Sequence, residues 1–197
     1  MWTFERRAQK AGYNCVAGVD EAGRGPLAGP VVSAAVVLGE NFPAMGIMDS
    51  KKLSPKKREL LYGRIMDKAI GVCVGFASHH EIDMLNILRA SLLSMLRAVN
   101  GLSVKPDYLL IDGRFSIDSP IDQRTIVRGD SLSVSIAAAS IIAKVTRDRI
   151  MADMHRLYPG YGFDRHKGYP TKLHREALAT LGPSPVHRYS FKGVTAL

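Results

Sequence analysis

The chain has 197 residues, 46% of them hydrophobic and 23% charged, which fits one globular domain with its own core. Lys and Arg number 27 against 18 Asp and Glu, and the formal net charge of +9 favours a polyanionic partner, either nucleic acid or an anionic membrane surface. No apolar stretch is long enough to span a membrane, and residues 1–10 lack a signal-peptide core, so we expect a cytoplasmic protein that binds no membrane. Cys15 and Cys73 lie in apolar runs and predict reduced core thiols.

The first half of the chain alternates strand and helix signals. Two short Val-rich runs within residues 16–38 predict adjacent strands joined by a glycine-rich turn. Ser54-Pro55 is a typical helix start and predicts a helix to about residue 68, and residues 69–77 predict a third strand. Ser78 and Glu81 form a capping box that opens a helical region ending at residue 100.

The second half predicts two more strands, over residues 108–113 and 125–130, and then a long helix over residues 133–157. The first part of that helix is small and apolar, which suits tight packing on a sheet. A last short helix is predicted over residues 171–181. The order ββ-α-β-α-β-β-α indicates an α/β layered domain with a mixed sheet.

Carboxylates stand at the ends of three predicted strands, in each case close to a glycine. They are Asp20, Glu21, Asp112 and Asp130. Strand ends of α/β sheets are where sites are usually built, and four acids at one edge cannot all stay ionised unless cations hold them together. Oxygen ligands without matching His or Cys indicate magnesium or manganese. An acidic metal site in a basic protein is the arrangement that phosphodiester hydrolysis needs.

Non-catalytic interpretations of these and other polar residues stay open. Asp20-Glu21 alone also fits a strand end that shows two solvated acids before a turn. Asp118 and Asp122 are predicted to be solvated in a loop, and Asp148 to be an ion-pair partner on the long helix. His79-His80 resembles a metal pair but belongs with the capping box, and the histidines lack the spacing of zinc ligands.

Seven sequence blocks, in order between about Val16 and Tyr189, closely resemble bacterial ribonuclease HII, the type 2 ribonuclease H that cuts RNA joined to or paired with DNA. The blocks are G-V-D-E-A-G-R-G-P-L-A-G-P, D-S-K-K-L, E-I-D-M-L-N-I-L, L-I-D-G, V-R-G-D-S, A-A-A-S-I-I-A-K-V-T-R-D and H-K-G-Y-P-T. The resemblance implies a ribonuclease-H-like five-stranded mixed sheet flanked by helices. It also implies one catalytic domain over residues 1–197, in which a helical or irregular extension from about residue 160 carries substrate contacts.

The resemblance also assigns roles to residues. It makes the four acids, Asp20, Glu21, Asp112 and Asp130, the catalytic ligands of two divalent metal ions, Mn²⁺ or Mg²⁺. It implies substrate contacts at Gly23, Arg24, Gly25, Lys51, Lys52, Asn86 and Tyr169. The glycine-flanked loop would read the ribose 2′-hydroxyl through its backbone, Tyr169 would pack on the adjoining sugar, and the two lysines and Asn86 would contact phosphates.

Elementary chemistry agrees with part of this assignment. Glycines let backbone amides approach a sugar closely, and the 2′-hydroxyl is what distinguishes a ribonucleotide from its deoxy neighbour. Tyr169 lies in a basic loop, which suits an exposed stacking residue, although a core aromatic that tethers the last helix fits the same pattern.

The implied function is an endonuclease that hydrolyses RNA in RNA/DNA hybrids and cuts 5′ of single ribonucleotides in duplex DNA. It would leave 3′-hydroxyl and 5′-phosphate ends and act in the removal of misincorporated ribonucleotides and RNA primers. The expected partners are these nucleic acids, and a monomer is expected. Two alternatives remain: a related metal-dependent nuclease for another nucleic-acid structure, such as a DNA junction, and a non-catalytic nucleic-acid-binding module with solvated acids.

Overall fold

The computed structural model describes residues 1–47 and 53–194, and its centre is a five-stranded mixed sheet. The strands are β1 (Val16–Ala22), β2 (Val31–Val37), β3 (Gly71–Ala77), β4 (Tyr108–Asp112) and β5 (Asp122–Ile126), in the spatial order β3-β2-β1-β4-β5. β2 pairs antiparallel with β1 and β3, whereas β4 pairs parallel with β1 and β5. The predicted α/β fold with a mixed sheet is therefore confirmed.

Helices cover both faces of this sheet. They are α1 (Thr3–Lys10), α2 (Pro55–Lys68), α3 (His79–Leu85), α4 (Ile87–Asn100), α5 (Val134–Leu157), α6 (Phe163–His166) and α7 (Lys172–Leu181). Helix α5 lies on one face with α2 packed against it, and α4 lies on the other face. Among the residues described, no helix is both long and apolar enough to cross a bilayer.

Strand β2 shows why both faces need a helix. All seven of its residues are buried, and alternate side chains enter opposite cores. Ala34 and Val36 pack with α5 and α2, whereas Ala35 and Val37 pack with α4. Apart from Ser33, whose hydroxyl is hydrogen-bonded to that of Ser94 in α4, the strand is apolar at every position, and a helix covers each of its faces.

Strand β1 approaches α5 closely because residue 18 is a glycine. A Cβ built on Gly18 would lie 2.1 Å from the carbonyl carbon of Ser135 in α5. Since side chains two residues apart share a face, Asp20 also points toward α5, and it meets Ser140 there. This packing positions the first acid of the candidate site.

The prediction for the fifth strand is wrong in its bounds. It was expected over residues 125–130, but β5 begins at Asp122, which was expected in a solvated loop and instead accepts a hydrogen bond of 2.7 Å from the Tyr13 hydroxyl. β5 is an edge strand, so polar residues alternate along it without an apolar signal. Arg128, with a left-handed φ of 58°, then turns the chain, and Asp130 lies in the short 3₁₀ turn Gly129–Ser131 rather than at a strand end.

The helical region expected from Ser78 to residue 100 is divided at Asn86. This residue has a φ of 69°, ends α3, and accepts hydrogen bonds from the amides of Leu88 and Arg89 through its side-chain oxygen. The predicted capping box is confirmed, with the Ser78 hydroxyl bound to the Glu81 amide and the Glu81 carboxylate bound to the Ser78 amide. Each half of the region therefore has its own N-terminal cap.

The segment after α5 folds back on the end of that helix. Its apolar residues form a separate core with Leu27, Ala28 and Met151. The residues contributed by the segment are Tyr161, Phe163, Leu178 and Val194. The predicted last helix is confirmed as α7, with Thr171 as its N-cap. This arrangement brings the C-terminal segment against the loop that follows β1.

Candidate active site

Asp20 belongs to a group of buried and half-buried acids, which we call the acidic edge: Asp20, Glu21, Asp112 and Asp130. Its side chain is 4% exposed, accepts a 2.7 Å hydrogen bond from the Glu21 amide and is bound by the Ser140 hydroxyl. Burial, then the charge of Glu21, then that of Asp112 raise the pKa of the Asp20 carboxyl well above its ordinary 3.8. Three of the four predicted acids therefore lie close enough to interact strongly.

Asp112 and Asp130 are linked through the backbone between them. Val19 of β1 is in register with Ile111 of β4, which places Asp112 beside Asp20 on neighbouring parallel strands. The amide of Gly129 donates a 2.6 Å hydrogen bond to Asp112 Oδ1. Asp130 is the next residue and is 5% exposed. The 3₁₀ turn therefore brings the fourth acid toward the same edge, although no strand carries it there.

The acidic edge has the donor chemistry of a site for hard divalent cations, because its members offer only carboxylate oxygens. The raised pKa of Asp20 shows that negative charge is crowded here, and a cation would relieve this crowding. Within residues 1–47 and 53–194, no group of three or more His, Cys, Asp or Glu side chains is already arranged to hold a metal ion. Mutual repulsion keeps the carboxylates apart when no cation is bound. The donor atoms therefore suit a divalent cation, although they are not already positioned around one.

A cavity of about 210 Å³ adjoins the acidic edge. Glu21 and Ser140 line the cavity, and Ser140 also binds Asp20. The cavity is therefore directly next to the acidic edge. The remaining lining residues are Ala22, Gly23, Arg24, Gly25, Lys144, Arg147 and Tyr169. The glycine-flanked loop and Tyr169, which the sequence predicted to act together, therefore share one cavity with an acid of the predicted quartet.

Tyr169 stands at the rim of this cavity. Its side chain is exposed, with a relative accessibility of 43%, and its ring lies beside Gly25, where a Cβ would be 3.5 Å from Cε1. Its carbonyl oxygen binds Nδ1 of the buried His174 at 3.0 Å, which ties the backbone to α7 while the ring stays outside. The position suits a residue that packs on a ligand and disfavours the alternative of a core aromatic.

Two buried arginines that sequence reasoning assigned no role hold the loop in place. Arg147 and Arg188 are 1% and 0% exposed, and their guanidinium groups bind carbonyl oxygens of residues 23–30. Burial lowers the pKa of Arg147 to about 10, and burial together with the charge of Arg147 lowers the pKa of Arg188 to about 9. Arg147 follows Ser140 and Ala143 at helical spacing, so its burial had a periodic signal. Arg188 lies in an irregular tail and had none.

Lys144 was also missed as a residue of the cavity. It lies one turn after Ser140 on α5, and its ammonium pairs with Asp148 at 2.6 Å, which confirms the expected ion-pair role of Asp148. Burial lowers the pKa of Lys144 even though this pair opposes the shift. A cationic side chain therefore lines the same cavity as Glu21 and Ser140.

Of the three predicted phosphate contacts, only Asn86 lies among the described residues. Lys51 and Lys52 lie outside the described residues. Asn86 is not among the cavity-lining residues, and its side-chain oxygen serves as the cap of α4. Its proposed contact with phosphate stays a prediction.

Three histidines, His166, His174 and His187, form hydrogen bonds within the fold through their ring nitrogens. His174 Nε2 and His187 Nε2 are 3.0 Å apart, and His187 Nδ1 accepts from the Ser184 amide at 2.9 Å. His166 contacts the Tyr161 carbonyl and the Gly168 amide through its two ring nitrogens. The six ring nitrogens of these three residues are therefore engaged by the protein, which argues against zinc ligation by these three histidines.

The model of the ribonuclease HII family matches residues 17–194. The chain belongs to this family. It is 56% identical over 194 residues to ribonuclease HII of Geobacter sulfurreducens, covering 98% of this chain and 89% of that one. It is therefore a ribonuclease H enzyme, and the family assignment made from the seven sequence blocks is confirmed.

Solved structures agree with the assignment. Ribonuclease H2 of Pyrococcus horikoshii superposes with a TM-score of 0.78 at 29% identity, over 92% of this chain and 95% of that chain. Bst-RNase HIII, solved in complex with Mn²⁺, superposes with a TM-score of 0.75 at 20% identity, over 95% of this chain and 70% of that chain. The second likeness supports the fold alone, and both confirm the predicted ribonuclease-H-like architecture.

Proposed function

We propose that this ribonuclease H hydrolyses the RNA strand of RNA/DNA hybrids and cuts on the 5′ side of single ribonucleotides embedded in duplex DNA. The observation that carries the proposal is the shared cavity: Glu21 of the acidic edge and the backbone of residues 23–25 line the same space of about 210 Å³. A phosphate at the acids and a ribose at the loop can therefore belong to one nucleotide. The net charge of +9 favours such a polyanionic substrate.

Asp20, Glu21, Asp112 and Asp130 are the residues that would hold two divalent cations, Mg²⁺ or Mn²⁺. Their oxygen-only donor set and the raised pKa of Asp20 support this proposal, and the Mn²⁺ complex of Bst-RNase HIII offers a precedent on the same fold. Such cations, when bound, activate water and stabilise the leaving oxygen in phosphodiester hydrolysis. Asp20 must be ionised to serve as a ligand, and Ser140 and the Glu21 amide stabilise its ionised form through hydrogen bonds.

The 23–25 backbone would recognise the sugar. Its amides donate hydrogen bonds to the 2′-oxygen, and Tyr169, whose ring lies beside Gly25, packs on the adjoining deoxyribose. In this role the 2′-hydroxyl is a recognition group and not the nucleophile. The products would therefore carry 3′-hydroxyl and 5′-phosphate ends, with no cyclic phosphate.

Cations around the cavity would hold the phosphate backbone. Lys144 lines the cavity, and Lys51, Lys52 and Asn86 are proposed as further phosphate contacts. The protein would act as a monomer and as one catalytic domain together with its C-terminal segment, whose Tyr169 lines the same cavity as Glu21 and residues 23–25. If Lys51 and Lys52 both touch phosphates, replacing both with Gln reduces the slope of log affinity against log salt by about 2. An unchanged slope would mean that both lysines are merely solvated.

A cleavage assay tests the proposal. A duplex with one embedded ribonucleotide is incubated with the enzyme in the presence and absence of Mg²⁺ or Mn²⁺, and the product ends are analysed. We expect metal-dependent cutting on the 5′ side of the ribonucleotide with 3′-hydroxyl and 5′-phosphate ends. Equal cutting of an all-DNA duplex or junction would instead indicate a related nuclease for another structure. A 2′,3′-cyclic phosphate would exclude the proposed mechanism.

A further inference from the structure

The loop after β1 is held mainly by its carbonyl oxygens, although the amides of Leu27 and Gly29 also donate hydrogen bonds, to the carbonyls of Gly168 and Val186. Seven of the eight carbonyls from residue 23 to residue 30 accept a hydrogen bond from Arg188 or Arg147. Arg188 binds those of Gly29, Arg24, Pro26 and Gly23 with its guanidinium, at 2.6–3.0 Å, and that of Leu27 with its backbone amide. Arg147 binds those of Pro30 and Ala28 at 3.0 and 3.1 Å. The carbonyl that these arginines leave out is that of Gly25.

This arrangement fixes the direction of two amides. The peptide bonds are trans, so the C=O and the following N–H point in opposite directions. Because the carbonyls of Gly23 and Arg24 point at the buried Arg188, the N–H groups of Arg24 and Gly25 point away from it. Within the described part of the chain, neither N–H contacts an acceptor. Residues 23–25 line the cavity, so the peptide groups that carry these donors form part of its wall.

Arg147 connects the loop to the segment that carries Tyr169. It binds the carbonyl of Lys167 at 3.0 Å, in addition to its two bonds to the loop. Its Nε lies where a side chain at position 23 would have to go, because a Cβ on Gly23 would be 2.0 Å away. Gly23, with a φ of 100°, therefore admits the guanidinium as well as the turn.

We propose that Arg188, supported by Arg147, is a positioning residue that aims the N–H groups of Arg24 and Gly25 at the ribose 2′-oxygen. The inference rests on the proposed function of the cavity and adds the source of its selectivity. Arg188 does not touch the substrate. It acts by holding the carbonyl side of the same peptide groups, so that the amide side is preorganised before the nucleotide arrives.

Only arginine has the donor geometry for this task. Its planar fork offers five N–H donors, and Arg188 reaches four carbonyls with it. A lysine keeps the charge but has three donors on one nitrogen and no fork, so it cannot hold all four. Arg188→Lys should therefore release at least one of the four carbonyls and loosen the loop that carries the peptide groups of residues 23–25, while it retains the positive charge.

Binding in metal-free buffer tests the proposal. Affinity is measured for a duplex with one ribonucleotide and for the all-DNA duplex of the same sequence, at several salt concentrations. For Arg188→Lys we expect the ribose preference to fall about tenfold or to disappear, with the salt slope unchanged because phosphate contacts are retained. Arg156→Lys is the matched control, since Arg156 is exposed on the last turn of α5.

The possible outcomes distinguish the positioning role of Arg188 from the proposed recognition of the 2′-hydroxyl. If the wild type shows no ribose preference, the proposed reading of the 2′-hydroxyl fails. If the wild type prefers ribose and Arg188→Lys keeps the same preference, the positioning role fails, even if the melting temperature has dropped. If Arg188→Lys does not fold, Arg147→Lys is measured in the same way. An undiminished ribose preference in that variant would likewise overturn the proposal.

Discussion

The acidic edge and the 23–30 loop bury charge in opposite ways. At the acidic edge, burial and neighbouring like charges disfavour the ionised form of Asp20. In the loop, two buried guanidinium groups are surrounded by carbonyl oxygens that accept hydrogen bonds from their N–H groups. The fold thus satisfies the buried cations by itself, whereas it crowds the buried acids. We interpret the acidic edge as a device for binding cations and the 23–30 loop as a device for shape.

The largest effect should come from breaking the acidic edge. Asp112→Asn should reduce cleavage by at least about 100-fold, because an amide is a poorer cation ligand than a carboxylate and the cations supply several kcal/mol of stabilisation. Duplex affinity should be retained, since the phosphate contacts lie elsewhere. Asp118→Asn changes the charge equally at an exposed position and is the control. A fully active Asp112→Asn enzyme would remove Asp112 from the proposed metal site.

A smaller effect is expected where the loop meets Tyr169. Tyr169→Ala should slow cleavage at an isolated ribonucleotide by about tenfold, and slow cleavage within an RNA/DNA hybrid less, because the ring packs on the deoxyribose of the junction. Tyr169→Phe should be mild, since packing requires the ring and not the phenol oxygen. The measurement is kcat/KM on both substrates. Equal losses on both would identify a structural tyrosine.

The melting temperature of the metal-free protein tests whether the acidic edge destabilises the fold. Because the pKa of Asp20 is raised in the folded state, ionised Asp20 destabilises the fold at neutral pH, and this penalty disappears as pH falls toward its ordinary 3.8. Asp20→Asn should therefore raise the melting temperature at pH 7 by about 2–4 °C, the shift that ~1 kcal/mol gives in a chain of this size. The gain should shrink at lower pH. If Asp20→Asn is less stable than the wild type at pH 7, ionised Asp20 does not destabilise the fold.

The smallest expected effect is a loss of stability of the C-terminal segment at acidic pH. Burial, followed by the charge of His174, lowers the pKa of His187 to about 4, so below pH 6.5 the unfolded state binds more protons than the folded state. Stability contributed by neutral His187 should therefore be lost as pH falls from about 6.5 to 4. Amide exchange should show α7 losing protection before β1 in this range. Simultaneous loss in both elements would argue against a local origin.

The features that were predicted correctly have local signals. Valine runs mark β1 and β2, Ser54-Pro55 marks the start of α2, and the capping box marks α3. β5 was misplaced because an edge strand needs no apolar face, and the turn at Asp130 depends on how Gly129 docks on Asp112. These contacts arise only when distant segments meet.

The arginines show the same limit at the site. Arg147 had a periodic signal, because it shares a helix face with Ser140 and Met151. The environment of Arg188 is formed by carbonyls about 160 positions earlier in the chain, and side-chain patterns carry no information about where backbone carbonyls converge. The acids of the site could thus be predicted from the sequence, but the groups that shape the loop could not.

The most direct test of the central claim varies one sugar in one duplex. Cleavage is measured, with Mg²⁺ or Mn²⁺, for duplexes that carry at the same position a ribonucleotide, a 2′-fluoro nucleotide, a 2′-O-methyl nucleotide or a deoxynucleotide. If the acidic edge cuts where the 23–30 loop reads the 2′-hydroxyl, only the ribonucleotide duplex is cut efficiently, on its 5′ side and only with metal. Comparable cutting of the deoxynucleotide duplex, or cutting that persists without metal, would contradict the account.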